Sequence, residues 1–261
     1  MGIVNVTPDS FSGDGLTSGA HVLGHALAQL ERGADIIDVG GESTRPGHRP
    51  VDEATELARV VPAIAALRQR TGAVISVDTF KAEVLQRALD AGADLLNSIC
   101  GVDGALLAAA LERRIPIVIM HNKRVAVYER DVVEEVLEYL ATSAARAVAA
   151  GIPREHVILD PGIGFGKTPE HNLALLRSLE SLVALGFPTL VGTSRKSTIG
   201  KLTGRNVDER VFGTAATIAL AIAAGVDIVR VHDVAQMRDV VRVSDAIVRG
   251  WRPHAWREEL P

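Results

Sequence analysis

The chain predicts an α/β fold, a single (β/α)8 barrel of parallel strands wrapped by helices, and three observations carry that expectation. Eight short apolar runs are spaced along the whole sequence, and each meets a polar residue of the kind active sites use. The intervening segments carry helix signals, so strand and helix alternate throughout. The runs are rich in Val, Ile and Leu with little alternation, as strands buried on both faces should be.

In order, residues 3–6 carry Asn5, 36–37 lead to Asp38, 74–77 to Asp78 and 95–96 to Asn97. Residues 117–120 lead to His121, 157–159 to Asp160, 190–191 to Thr193, Ser194 and Lys196, and 228–231 to Arg230 and His232. Helices are expected at about 19–33, 53–70, 81–92, 104–113, 131–150, 170–185, 208–224 and 234–249. Thr168 is placed to cap the sixth, with Pro169 at its first position. Gly33, Gly72, Gly92, Gly151, Gly186 and Gly225 follow helices where a left-handed residue ends them. A doubly wound open sheet is the rival, but it would have fewer strands and a Gly-rich first turn, which Thr7-Pro-Asp-Ser-Phe11 lacks.

At 261 residues the chain suits one such barrel, expected as one domain over 1–261 with 250–261 as a C-terminal tail. Trp251 and Trp256 in that tail are expected to pack on the exterior or on a partner subunit. A formal charge of −4 and 3% aromatic residues give no footprint for nucleic acid. The longest apolar stretch, 215–226, is too short to span a membrane, so no membrane association is expected. A lone cysteine, Cys100, fits a reducing cytoplasm. The first residues lack the basic and apolar segments of a signal peptide, and Val6 stands where a myristoylation signal needs Ser or Thr.

In a parallel barrel the carboxyl ends of all strands open onto one face, so polar residues scattered over the chain converge there. Asp78, Asn97, Asp160 and Lys196 form one constellation. Carboxylates accept from paired N–H donors, a carboxamide donates and accepts, and a lysine donates to a carbonyl oxygen. That set complements a flat heterocycle with a guanine-like edge, whereas a structural ion pair would need only one carboxylate. Arg230 and His232 lie two apart on one strand and face the same way. With Asn5 they could hold a diphosphate and a divalent cation such as Mg²⁺. The segment Asp160-Pro-Gly-Ile-Gly-Phe-Gly-Lys-Thr168 is not a Walker A loop, because Pro161 stands where its first glycine is required. Its glycines would let backbone approach a ligand closely. Thr193-Ser-Arg-Lys-Ser-Thr198 ends the seventh strand and opens a short helix, where Ser194 or Ser197 could bind a carboxylate. Thr44 and Arg45 tip a long loop. Asp38, Glu42, His121 and Asn122 stay unassigned at this point.

The sequence strongly resembles the dihydropteroate synthase family. The resemblance rests on Gly2-Ile-Val-Asn-Val-Thr-Pro-Asp-Ser-Phe-Ser12, Ile37-Asp-Val-Gly-Gly-Glu-Ser-Thr-Arg-Pro-Gly47 and Ile75-Ser-Val-Asp-Thr79. It continues through Asp160-Pro-Gly-Ile-Gly-Phe-Gly166, Gly192-Thr-Ser-Arg-Lys-Ser197 and Arg230-Val-His-Asp233, in family order over nearly the whole chain. It implies a cytoplasmic TIM-barrel transferase of folate biosynthesis, commonly a homodimer and a sulfonamide target. Such an enzyme joins 6-hydroxymethyl-7,8-dihydropterin diphosphate to 4-aminobenzoate and releases pyrophosphate. It further implies that Asp78, Asn97, Asp160 and Lys196 hold the pterin, with Met120 and Phe165 lining its pocket. Arg230 and His232 would reach the diphosphate, and Asn5 would contact Mg²⁺. Thr44, Arg45, Pro46, Phe165 and Ser197 would form the aminobenzoate site. By the same resemblance Asp78, Lys196, Arg230 and His232 carry the catalysis.

Some features depart from the family pattern. The strand or hairpin the family usually places ahead of the first barrel strand is not seen here. The first loop reads Phe-Ser-Gly-Asp-Gly in place of the usual Phe-Ser-Asp-Gly-Gly, and Ser98 stands where Asp is common. Two other readings are a pterin-binding methyltransferase, which has no need of the Ser-Arg-Lys-Ser loop or the diphosphate pair, and a non-catalytic pterin-binding paralogue.

Overall fold

Alternation along parallel strands organises the whole molecule, a computed structural model that describes residues 1–6, 18–42, 51–99, 101–102 and 104–253. The strands are β1 (Gly2–Asn5), β2 (Ile36–Gly40), β3 (Val74–Asp78), β4 (Leu95–Ser98), β5 (Ile117–Met120), β6 (Val157–Asp160), β7 (Leu190–Val191) and β8 (Ile228–Val229). β1 to β6 pair in chain order, and β7 pairs with β8, all parallel. Two single bridges complete the ring. Leu159 meets Thr189 just ahead of β7, and Gly2 meets Val231 just past β8. There the Ile3 amide donates to the Val231 carbonyl at 3.0 Å and the Val231 amide to the Met1 carbonyl at 2.9 Å. The expected (β/α)8 barrel is therefore present, with its last two strands reduced to two residues each.

Successive strand residues point to opposite faces, and the sequence uses this twice. Outward residues such as Val4, Val39, Val77, Leu96, Ile119 and Leu159 join one core with the surrounding helices. Inward residues Met1, Leu95, Val118, Ile158 and Leu190, with Ile36 and Ile228, form a separate plug inside the barrel. One inward step further along the strands stand Asp38, Asn97, Met120, Asp160 and Arg230. The greasy plug thus supports a polar layer at the carboxyl ends.

The helices are α1 (Ser18–Glu31), α2 (Glu53–Arg68), α3 (Ala82–Asp90), α4 (Gly104–Arg113), α5 (Val132–Ala149), α6 (Pro169–Arg177), α7 (Leu179–Val183), α8 (Ser197–Thr203), α9 (Val211–Ala223) and α10 (Val234–Val248). The expected sixth helix is split at Ser178, whose φ of −110° and ψ of 22° leave the helical region. The expected helix from 208 begins only at Val211, because 207–209 wind as a tighter 3₁₀ turn. Thr168 caps α6, its hydroxyl accepting from the His171 amide at 3.2 Å. Five of the six helix-ending glycines have positive φ; Gly72 does not. Trp251 is partly exposed. Trp256, Cys100 and the first loop lie outside the described residues. No described helix is long and apolar enough to cross a membrane.

A buried ionic node braces the β2 and β3 ends. Lys81 donates to Glu42 at 2.7 Å, to the Val51 carbonyl at 2.8 Å and to Glu56. Glu42 and Glu56 are almost wholly enclosed. Removing the cation would take from the enclosed Glu56 carboxylate its ammonium partner, and breaking a buried pair in this way typically costs 3–5 kcal/mol. Lys81→Met is accordingly expected to lose about 3–5 kcal/mol in urea unfolding at neutral pH. Acidification toward about pH 5 should recover part of that loss, because a buried carboxylate that has lost its cation takes up a proton more readily; an equal loss at both pH values would contradict this.

Candidate functional site

The carboxyl ends of the strands surround two adjoining chambers. The deeper, of about 50 Å³, is lined by Asp78, Asn97, Met120, Asp160, Phe165, Lys196 and Arg230, among others. The outer, of about 310 Å³, shares Asp78, Phe165, Lys196, Arg230 and His232 and adds Asn5, Ser197, Arg195 and Arg210. Residues from seven strand ends meet here because register aligns them. Asn5, Gly40, Asp78 and Asn97 occupy one row across β1 to β4, and Met120 pairs with Asp160. The pterin residues named from sequence are thus brought together, and the diphosphate residues Asn5, Arg230 and His232 sit beside them. Thr44, Arg45 and Pro46 lie outside the described residues.

Arg230 is the electrostatic hinge of the site. Its guanidinium lies 2.6 Å from Asp38 Oδ2 and 3.0 Å from Asp78 Oδ2. Burial alone would lower its pKa, but the two carboxylates outweigh burial and hold it above its ordinary value. Asp78 feels the opposite balance. Burial, with repulsion from Asp38, pushes its pKa up to about 7 against the pull of Arg230. Burial likewise raises Asp160, opposed by the Gly162 amide, which donates to Asp160 Oδ1 at 2.7 Å. Lys196 is lowered to about 8, first by burial. Its ammonium donates to the Ile163 carbonyl at 2.6 Å and stands 4.0 Å from the centre of the Phe165 ring. The lysine read from sequence as a donor to a ligand carbonyl is therefore turned onto the loop backbone in this structure.

The glycines of the loop after β6 divide by position: Gly162 and Gly166 make room for neighbouring backbone, whereas Gly164 lines the outer chamber. A Cβ on Gly162, where φ is +68°, would fall 1.9 Å from the His121 carbonyl oxygen, and one on Gly166 would fall 2.1 Å from that of Lys123. Lys167 secures the same loop, donating to the Phe165 carbonyl at 3.0 Å and lying 2.9 Å from His121 Nδ1. Burial lowers Lys167 to about 7 and, with the charge of Lys167 beside it, His121 to about 4. His121 is thus a neutral group packed against Tyr128 and Tyr139.

On the β7–β8 side, Ser194 Oγ accepts from the His232 amide at 3.1 Å and lies 3.0 Å from His232 Nδ1. That places Ser194 with His232, leaving Ser197 as the hydroxyl at the start of α8. Arg195, at a positive φ of 59°, grips Asp233 through two bonds of 2.9 and 2.6 Å. This fork ties the Lys196 loop to the His232 strand end. Ser98 is structural: buried, it donates to the Gly101 carbonyl at 2.7 Å.

Sequence reasoning missed Asp38. It is fully buried, and its Oδ2 accepts from both Arg230 and Asn97 Nδ2, the latter at 3.1 Å. Its place two residues before the inward Gly40 was the available signal, since strand alternation turns both into the barrel.

The family pattern described as pterin binding enzyme matches residues 1–232. The dihydropteroate synthase of Streptococcus pyogenes is 46% identical over 253 residues, covering 95% of both chains. The chain belongs to the dihydropteroate synthase family. Its fold agrees with solved members. The Clostridium difficile enzyme, crystallised in the presence of pteroic acid, superposes with a TM-score of 0.92 at 44% identity, over 95% of each chain. The Xanthomonas albilineans enzyme with 4-aminobenzoic acid gives 0.91 at 44% identity, over 97% of this chain and 93% of that one.

The Asp78 environment makes a measurable prediction. A carboxyl whose folded-state pKa is about 7, above its ordinary value near 4, favours folding most below pH 4 and loses that contribution as pH rises to 7. Asp78→Asn should therefore be more stable than the wild type at pH 8, by about 1–2 kcal/mol, with a smaller advantage at pH 5. Thermal unfolding at the two pH values reads this directly, and a larger advantage at pH 5 would reverse the assignment.

Proposed function

We propose that the chain is a working dihydropteroate synthase, condensing 6-hydroxymethyl-7,8-dihydropterin diphosphate with 4-aminobenzoate to give 7,8-dihydropteroate and pyrophosphate. The carrying observation is the convergence of Asp78, Asn97, Asp160 and Lys196 on the deep chamber, with Arg230 and His232 opening it onto the outer one. The carboxylates and amide suit the donor edge of the pterin, and Lys196 suits its carbonyl after leaving Ile163. Phe165 walls both chambers, and Ser197 faces the outer one, where the aminobenzoate would enter. Thr44, Arg45 and Pro46 complete that subsite in this reading.

The chemistry is a dissociative substitution. The bond between the exocyclic methylene and the bridging oxygen breaks, and pyrophosphate departs with the electron pair. The methylene carbon becomes a cation conjugated with the pterin ring. Arg230 and His232 accept the developing negative charge, and ionised Asp78 stabilises the cation in a site with little water. The arylamine nitrogen then attacks, the C–N bond forms, and the nitrogen releases a proton. No protein nucleophile is needed, so Lys196 serves as a donor and not as a Schiff-base amine.

A magnesium ion fits this donor set as a companion of the diphosphate. Asn5 lines the outer chamber together with His232 and carries a neutral amide oxygen, and a hard cation completes its shell with phosphate oxygens and water. Bound there, the ion would neutralise charge on the leaving pyrophosphate.

We also read the protein as a cytoplasmic homodimer, built from one barrel domain per chain. Phe212 and Leu220 on α9, and Val243 and Ile247 on α10, are strongly exposed, and these two helices pack together. Exposed apolar side chains gathered on adjacent helices suit a second copy of the chain.

The deciding assay follows dihydropteroate and pyrophosphate after mixing protein, pterin diphosphate, 4-aminobenzoate and Mg²⁺. Pterin binding without turnover would instead favour the non-catalytic paralogue. Asp160→Ala is expected to weaken pterin binding by at least about 100-fold, through loss of a charge-assisted paired acceptor, whereas Arg45→Ala should mainly slow turnover. Unchanged pterin affinity in Asp160→Ala would misplace the pocket. Phe212→Glu combined with Ile247→Glu should sediment as a monomer; a persisting dimer would put the interface elsewhere.

A further inference from the structure

We propose that Asp38 is a positioning residue that sets heterocycle specificity, by holding the Asn97 carboxamide in one of its two flip orientations. The inference rests on the pterin reading above. Asp38 does not line the deep chamber; Asn97 does. Asp38 is completely enclosed, and its Oδ2 takes both polar contacts, from Arg230 at 2.6 Å and from Asn97 Nδ2 at 3.1 Å. Its Oδ1 is buried with no partner among the described residues.

An ionised carboxylate only accepts hydrogen bonds, whereas a carboxamide presents an acceptor on one side and donors on the other. Turning the Asn97 amide over would bring its oxygen against Asp38 Oδ2 in a dry environment, where an unmatched polar pair is costly. Arg230 strengthens the constraint, since it donates to the same Oδ2 and so commits that oxygen to accepting. Asn97 therefore meets the chamber with its oxygen and its remaining N–H in a set order.

That order carries chemical information. A pterin offers an acceptor at N1 and a donor at its 2-amino group. The 2-oxo analogue, lumazine, offers a donor at N1 and an acceptor at the 2-position. One amide orientation matches the first pattern, and the flipped one matches the second. An asparagine at position 38 could donate to the Asn97 oxygen or accept from its nitrogen, and so would release the lock.

The test measures calorimetric affinities of pterin and lumazine for wild type and Asp38→Asn. The wild type should prefer pterin, and the preference should fall by about tenfold in the variant, the size of one mismatched hydrogen bond. A purely structural role for Asp38 would weaken both ligands alike and leave their ratio unchanged; that result overturns the inference while the pterin reading stands. A wild type with no preference for pterin overturns both. Should Asp38→Asn not fold, exchange of the Asn97 side-chain amide protons in the wild type decides. The Asn97 side-chain amide protons, assigned by their loss in Asn97→Ala, should include one that exchanges slowly with solvent. Exchange as fast as at surface asparagines would refute the lock.

Discussion

A guanidinium set between two buried carboxylates governs the mouth of this barrel. Asp38 and Asp78 stand on adjacent inward rows, and Arg230 bridges them. The Arg230–Asp38 contact spans 192 residues of sequence and exists only because the last strand closes against the first. Ring closure and charge compensation are thus one event: the bridge at Gly2 and Val231 sets the backbone, and the ion pair sits one inward residue before it on β8. The raised pKa of Asp78 comes from burial and from the neighbouring Asp38 charge, which the shared cation offsets only in part.

The plug beneath explains why the polar layer holds its shape. Met1, Leu95, Val118, Ile158 and Leu190 fill the barrel below it, and side chains packed at this density have little room to shift. Asn97 stands above Leu95, Asp160 above Ile158 and Arg230 above Ile228, each two positions later on the same inward row. The rim is tied laterally. Arg195 and Asp233 join the β7 and β8 ends, Ser194 steadies His232, and Lys167 anchors the Phe165 loop against His121. Groups read singly from sequence as ligand contacts thus divide into those that face the chambers and those that hold their neighbours.

Much of this was legible in one dimension because it is periodic or local. Apolar runs ending in Asp78, Asn97 and Asp160 marked strands and their functional ends. Thr168 with Pro169 marked a helix start, and most helix-ending glycines took positive φ. Boundaries failed where local energetics are nearly balanced, as at Ser178, or where the chain winds more tightly before a helix, as at 207–209. The glycines after Asp160 were only half legible, since sequence shows that backbone is meant to come close but not that Gly162 and Gly166 do so to other backbone.

By itself the sequence determined the fold class, the order of its elements and the residue types at the barrel mouth, because hydrophobic period and strand-end polarity are properties of short segments. Only the tertiary structure decided which partner each charge has. Asp38 became a brace, Ser194 a support for His232, and Lys196 a donor to Ile163, since such pairings depend on register and closure across residues far apart in the chain. Desolvation sharpened those choices, for a charge shut away from water must take the nearest complementary group that the fold supplies.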